Sequence, residues 1–183
     1  DPTTYIYISL GGARCNYDEL RIGTTFDDVI GVVPATDGPY WAPGAGGGGS
    51  GTWNATATVW APVPNAQGTL PQRNGVPLVF AGTAGTVTID GTVTANAGLQ
   101  FSVTGYSVVP GSSSPNLSLT GASAVDNTIT VPSGTATVSA QVTGSAGLTK
   151  AGAGTLVLSG TGNTHGGGTM LNVGTLQIAD LGS

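Results

Sequence analysis

The sequence predicts an all-β chain whose main part is a β-solenoid, a coil of short strands stacked turn upon turn. Three observations lead there. The motifs "GTATV", "GTLVL" and "GTLQI" begin at Gly134, Gly154 and Gly174, so one pattern recurs every twenty residues, and fixed periods of this size mark stacked units. Alternating apolar and polar residues fill short runs such as "TVTID", "LSLTG", "TITV" and "TLVLSG", separated by Gly, Ser, Asn or Pro, which is the pattern of strands joined by tight turns. Beyond residue 38 no ten-residue window has helical periodicity and good helix formers, and the best helical candidate anywhere is the weak "YDELR" from Tyr17 to Arg21.

The period sets the geometry. About twenty extended residues at roughly 3.3 Å each are too long for one hairpin arm but suit three short strands, with each turn about 4.8 Å above the last. Thr86 to Ile178 then holds about five rungs in a stack roughly 24 Å tall. Alternate residues of each strand point inward, which places Val138, Leu156, Leu158, Leu176 and Ile178 in columns of like side chains, with the Thr residues between them facing water. Gly suits the corners, where a positive φ or a close approach of successive rungs is needed.

Composition agrees. Charged residues are 7% of the 183, and Gly numbers 32, against about 25% and roughly 7% in an average domain. The abundance of Val, Ile and Thr argues against disorder. A net charge of -5 with three Arg and one Lys offers no basic patch for phosphates, so nucleic acid and anionic membranes are not expected partners. No run of about 18 apolar residues exists to span a bilayer. Cys15 is the single cysteine, so it is either a buried small hydrophobe or an intermolecular link. Asp1, without Met or a charged-then-apolar leader, predicts a processed start.

Charge also divides the chain. Residues 1–38 hold Asp1, Arg14, Asp18, Glu19, Arg21, Asp27, Asp28 and Asp37, whereas 39–149 hold only Arg73, Asp90 and Asp126. The expected organisation is an N-terminal strand-containing segment (1–38), a Gly/Pro-rich flexible joint (39–51, "PYWAPGAGGGGSG") and the solenoid (52–183).

Three stretches, "GSGTWNATATVWA" (Gly49 to Ala61), "LVFAGTAGTVTIDGTVTANAGLQFSVTGYSV" (Leu78 to Val108) and "GLTKAGAGTLVLSGTGNTHGGGTMLNVGTLQIAD" (Gly147 to Asp180), resemble in that order the autotransporter passenger-associated β-strand repeat of Gram-negative surface proteins. The resemblance covers about 130 residues. It implies a right-handed parallel β-helix, exported across the outer membrane to the cell surface or beyond, and it implies no single activity, because one scaffold carries many functions. In the family an aromatic residue usually stands at the position of His165 and Thr at that of Gly166. Members usually carry many rungs and a C-terminal membrane barrel, and residues 1–38 match nothing in the family.

Chemistry is sparse. His165 is the one possible base for a Ser, His and Asp set, and its place in "NTHGGGT" predicts a ring packed on a corner. Asp90 and Asp126 lie 36 residues apart, out of step with the period, in turn positions where Asp is favoured, so no paired carboxylates for glycoside chemistry are expected. Asp27 and Asp28 with Asp18 and Glu19 lack calcium-loop spacing and predict a solvated rim; no metal and no cofactor are expected. Gly44, Gly46 and Gly49 satisfy G-x-G-x-x-G only through glycine abundance. Lys150, in "GLTK", predicts a solvated outward face. Tyr40, Trp41, Trp53 and Trp60 gather around the joint, and by the resemblance they cap the open end of the helix; the alternative is a platform stacking on glycan rings.

The N-terminal run "TTYIYISL" has Ile6, Ile8 and Leu10 on one face and Tyr5 and Tyr7 on the other. Being apolar on both faces it needs burial, either over its own solenoid or by strand addition to the open end of another subunit. The second option is a head-to-tail contact, which builds filaments when it does not close. The expected function is therefore a non-catalytic structural solenoid of a secreted bacterial surface protein, joining end to end into an extracellular fibre. The alternatives are a stalk fragment of a longer passenger and a glycan-binding adhesin; an enzyme comes last.

Overall fold

The computed structural model describes residues 37–179. The N-terminal strand with Tyr5, Ile6, Tyr7, Ile8 and Leu10, Cys15, and the acidic residues Asp18, Glu19, Asp27 and Asp28 all lie outside them. The described residues form strands β1 (Tyr40–Trp41), β2 (Gly51–Trp53), β3 (Trp60–Ala61), β4 (Leu78–Phe80), β5 (Thr86–Ile89), β6 (Thr92–Ala95), β7 (Leu99–Phe101), β8 (Ser107–Pro110), β9 (Asn116–Leu119), β10 (Thr128–Thr130), β11 (Thr135–Val138), β12 (Gln141–Gly144), β13 (Leu148–Ala151), β14 (Thr155–Leu158), β15 (Thr164–His165), β16 (Thr169–Leu171) and β17 (Thr175–Ile178). No helix occurs among them that is long and apolar enough to cross a membrane.

Strands three apart in sequence are neighbours in space. The sheets run β16-β13-β10-β7-β4-β1-β3, β17-β14-β11-β8-β5-β2 and β15-β12-β9-β6, and every pair is parallel except β1 with β3. Each turn thus lays one strand in each of three sheets. The chain completes about five turns from β4 to β17, with β1 and β2 forming a partial turn at the other end of the stack. This is a β-solenoid.

The twenty-residue period is the register itself: Thr135 pairs with Thr155 and that with Thr175, Ala136 with Leu156 and Leu176, and Val138 with Leu158 and Ile178. Val138, Leu156 and Leu158 are fully buried. Leu176 is half-buried and Ile178 partly exposed because their turn is the last of the described stack. The second turn breaks the period, since Leu99 is matched by Ile129, thirty residues on. The additional residues lie in longer loops on either side of β9, while the strands stay in register. Asn127, fully buried, fixes the second of these loops: its Oδ1 accepts the Gly121 N–H at 2.8 Å and its Nδ2 donates to the Gly147 carbonyl at 3.1 Å, one turn later.

The other end of the stack is closed. Trp60 and Ala61 of β3 run antiparallel to β1, and the Trp60 and Leu70 main chains exchange hydrogen bonds beyond it. Contrary to the joint expected from composition, residues 39–51 belong to this end: Trp41 and Ala42 are buried, Tyr40 pairs with Val79, and Gly51 to Trp53 pair with Val87 to Ile89. The glycines here let the main chain curl around an indole, with the Gly48 N–H on the Trp41 carbonyl.

Two glycines show what the stacking demands. Gly174, at a corner of the last turn, has φ +84° and a Cβ there would run into the Gly152 and Gly154 carbonyls of the turn before; Gly98 has φ +86° and a Cβ would strike the Thr128 carbonyl of the turn after. Gly91, at φ +77°, has nothing within 4 Å of its Cβ position. Gly91→Ala is therefore expected to lose only the left-handed backbone cost of about 1–2 kcal/mol. Gly98→Ala should lose measurably more in urea unfolding, because two turns must also separate; equal losses would refute the close-packing account.

Candidate functional site

The aromatic residues are core. Trp41, Trp53 and Trp60 are 1%, 1% and 0% exposed. Trp60 meets Trp41 and Trp53 edge to face at 5.3 and 5.4 Å, and Phe80 stacks on Phe101 at 4.9 Å. The Trp41 indole donates to the Gly49 carbonyl and that of Trp53 to Gln72 Oε1, both at 2.9 Å. The glycan platform considered for Tyr40, Trp41, Trp53 and Trp60 is not formed, because the three indole faces are spent on one another and Tyr40 is half-buried. Tyr106 continues the cluster. Its hydroxyl lies 2.7 Å from the Ala81 carbonyl and 2.9 Å from that of Thr83, and burial pushes its pKa from 10.0 up to about 12.

Lys150 corrects a second expectation. It is fully buried, because Leu148 and Lys150 share the inward face of β13 and the register puts Lys150 on Ile129 and beneath Leu171. Its Nζ donates to the carbonyls of Ala151 and Gly152 at 2.7 Å and of Val173, one turn on, at 3.1 Å. Removal from water lowers its pKa below the usual lysine value, and the three oxygens are what make an ammonium tolerable there.

His165 is half-buried in β15 with Nε2 2.7 Å from Thr169 Oγ1. Its Nδ1 has no partner among the described residues, and desolvation lowers its pKa below the ordinary value. No carboxylate among the described residues is bonded to it. Asp126 accepts the Ser123 N–H and hydroxyl at 3.0 and 2.8 Å, a turn-closing role. Asp90 stands at the corner between β5 and β6, its N–H on the Trp53 carbonyl, so the two carboxylates belong to different turns. Gly44, Gly46 and Gly49 precede a strand rather than a helix. Among the described residues no group of three or more His, Cys, Asp or Glu could hold a metal.

A surface slot of about 290 Å³ lies at the closed end, beside β6. It exists because, among the described residues, the third sheet begins one turn later than the other two: β1 and β2 lie beyond β4 and β5, but no described strand pairs with the far edge of β6. The Gly91 and Ala95 carbonyls face β9, so the main-chain groups of Thr92 and Thr94 face the slot. Its lining includes Asn54, Ala57, Gln72 and Asn74. Gln72 bridges the floor, its Nε2 donating to the Thr94 carbonyl at 2.7 Å while its Oε1 accepts from Trp53. The composition of the slot, amides and hydroxyls with few aromatics, gave no signal in the sequence.

Two substitutions probe the buried polar groups. Lys150→Ala should cost roughly 2–4 kcal/mol in urea unfolding, leaving a cavity and carbonyls without a donor, and Lys150→Met, which refills the column, should cost clearly less. Tyr106 has a folded pKa above its unfolded one, so its neutral form stabilises the fold fully below pH 10.0 and that stabilisation is lost as pH rises through about 12. Tyr106→Phe should remove this component of the alkaline stability loss while lowering stability at neutral pH by about 1 kcal/mol. An alkaline unfolding curve unchanged in Tyr106→Phe would contradict the assignment.

Comparison with known proteins agrees with this architecture. The Passenger-associated-transport-repeat family matches residues 148–178, the stretch from β13 to β17. The chain is 37% identical over 157 residues to "Adhesin BmaC autotransporter" of Brucella suis biovar 1 (strain 1330), a match that spans 82% of this chain and 4% of that protein's length. No solved structure matches. The chain carries an autotransporter passenger repeat, folded as a β-solenoid.

Proposed function

We propose that this chain is a stretch of the exposed passenger of an autotransporter adhesin, a non-catalytic, stiff solenoid displayed at the bacterial surface or released from it. The observation that carries the reading is the 157-residue similarity to an autotransporter adhesin, joined to a stack whose inward positions are, Lys150 apart, mostly aliphatic and aromatic. A solenoid of this kind suits a stalk, since each turn bonds only to its neighbours and length grows by adding turns. Antibodies raised against the chain should label intact cells of the source organism, and beads coated with it should adhere to host cells. Labelling only after permeabilisation would reject display, and non-adherent beads would reject adhesion.

A second reading, assembly of copies end to end into a fibre, has support from the apolar side chains on the last described turn: Met170, Leu171 and Val173 are about half exposed. At the opposite end of the described stack β3 lies across the aromatic cluster, so a head-to-tail joint would use residues 1–36, as the strand expected from the sequence of Tyr5 to Leu10 suggests. Electron micrographs of the purified chain in physiological buffer decide it. Uniform filaments that vanish on deleting residues 1–10 support the fibre, and isolated short rods leave the stalk alone.

A further inference from the structure

We infer that the slot beside β6 binds a neutral sugar residue, a ligand class and a site that deepen the adhesin reading and rest on it. The argument begins with its hydrogen-bonding groups. Asn54 uses Oδ1 to hold the Thr56 N–H and hydroxyl at 3.0 and 3.2 Å, which leaves its Nδ2 hydrogens for a ligand. Asn74 accepts only a long 3.5 Å contact from Gln72, and its amide nitrogen is likewise available. Thr92 Oγ1 accepts from Asn116 Nδ2 at 2.8 Å, so its own hydrogen can be donated outward. The strand edge adds main-chain N–H and C=O groups of Thr92 and the N–H of Thr94, which no strand among the described residues pairs.

These donors and acceptors converge on a space of about 290 Å³. Its lining alternates them with the apolar surfaces of Ala57 and Pro71. A pyranose has the same character, with hydroxyls around its rim and C–H groups on its faces. Charge narrows the class. Among the described residues no ionised side chain lines the slot, Arg73 turns to Asp37 at 3.8 Å, and Lys150 is buried in another turn, so a carboxylated or sulfated sugar would find no cation among them, on a chain of net charge -5. Trp53 supports the site from below through Gln72 without offering a stacking face.

The test uses the full 183-residue chain on an array of neutral and acidic oligosaccharides beside an array of extended peptides, with Ala57→Trp to fill the slot, Asn74→Ala to remove one donor, and Thr137→Ala on a different sheet as control. Thermal unfolding confirms that each variant folds. The expected result is binding of neutral oligosaccharides, weakened at least about tenfold by Ala57→Trp and by Asn74→Ala and untouched by Thr137→Ala. The inference is overturned by silence on neutral sugars, by binding that both slot variants leave intact, by a preference for acidic glycans, or by slot-dependent capture of peptides instead. Coated beads separate the two levels: adherence retained in Ala57→Trp removes the slot and spares the adhesin reading, whereas no adherence of the wild type removes the reading itself.

Discussion

Hydrogen bonding of each turn to the next is the constraint on which the rest of the molecule depends. Strands about 4.8 Å apart can remain paired through five turns only if each inward side chain packs on those directly above and below it. Columns such as Ala136, Leu156 and Leu176, or Val87, Val108, Val138 and Leu158, follow from that requirement. It also explains how Lys150 comes to be inside. The strand phase that buries Leu148 leaves position 150 no outward alternative, and a lysine there persists because its stem fills the column while its head reaches three carbonyls at the corner.

Variation is confined to places where it does not disturb the pairing. The second turn carries about ten additional residues, all in loops flanking β9, and Asn127 returns the chain to register by bonding both within its own loop and to Gly147 in the next turn. At the closed end, parallel stacking gives way to an antiparallel strand and to aromatic packing, each edge-to-face pair contributing about 0.5–1.5 kcal/mol beyond the burial of its area. Because that closure spans only two of the three sheets, no strand among the described residues covers the edge of β6, and the slot lies there.

How much of this was legible depends on period. From Gly134 onward the motif repeats every twenty residues, and the predicted inward residues Val138, Leu156 and Leu158 are the buried ones. Before that point the insertions around β9 interrupt the repeat, so only local alternation marked the strands. Lys150 was misread because its chemistry outweighed its phase; counting two residues on from Leu148 would have placed it inward. Asn127 stands twenty residues before Gly147, its partner, so the same period that revealed the fold held the clue to its role. The tryptophans were read as a cap over the open end, with a glycan platform as the alternative, but the Gly/Pro-rich stretch 39–51 beside them suggests mobility, whereas glycine there serves to bring main chain close around large rings. The slot had no sequence signature, since it is defined by a strand that the third sheet lacks among the described residues.

The closed end has one further consequence. All three tryptophans of the chain sit there, within a single cluster, while the turns from β10 to β17 contain none. In a stack whose turns interact chiefly with their neighbours, the two ends need not come apart together. Indole emission from this molecule is therefore a local gauge, reporting on one extremity and silent about the other, whereas a backbone signal such as circular dichroism averages over every turn.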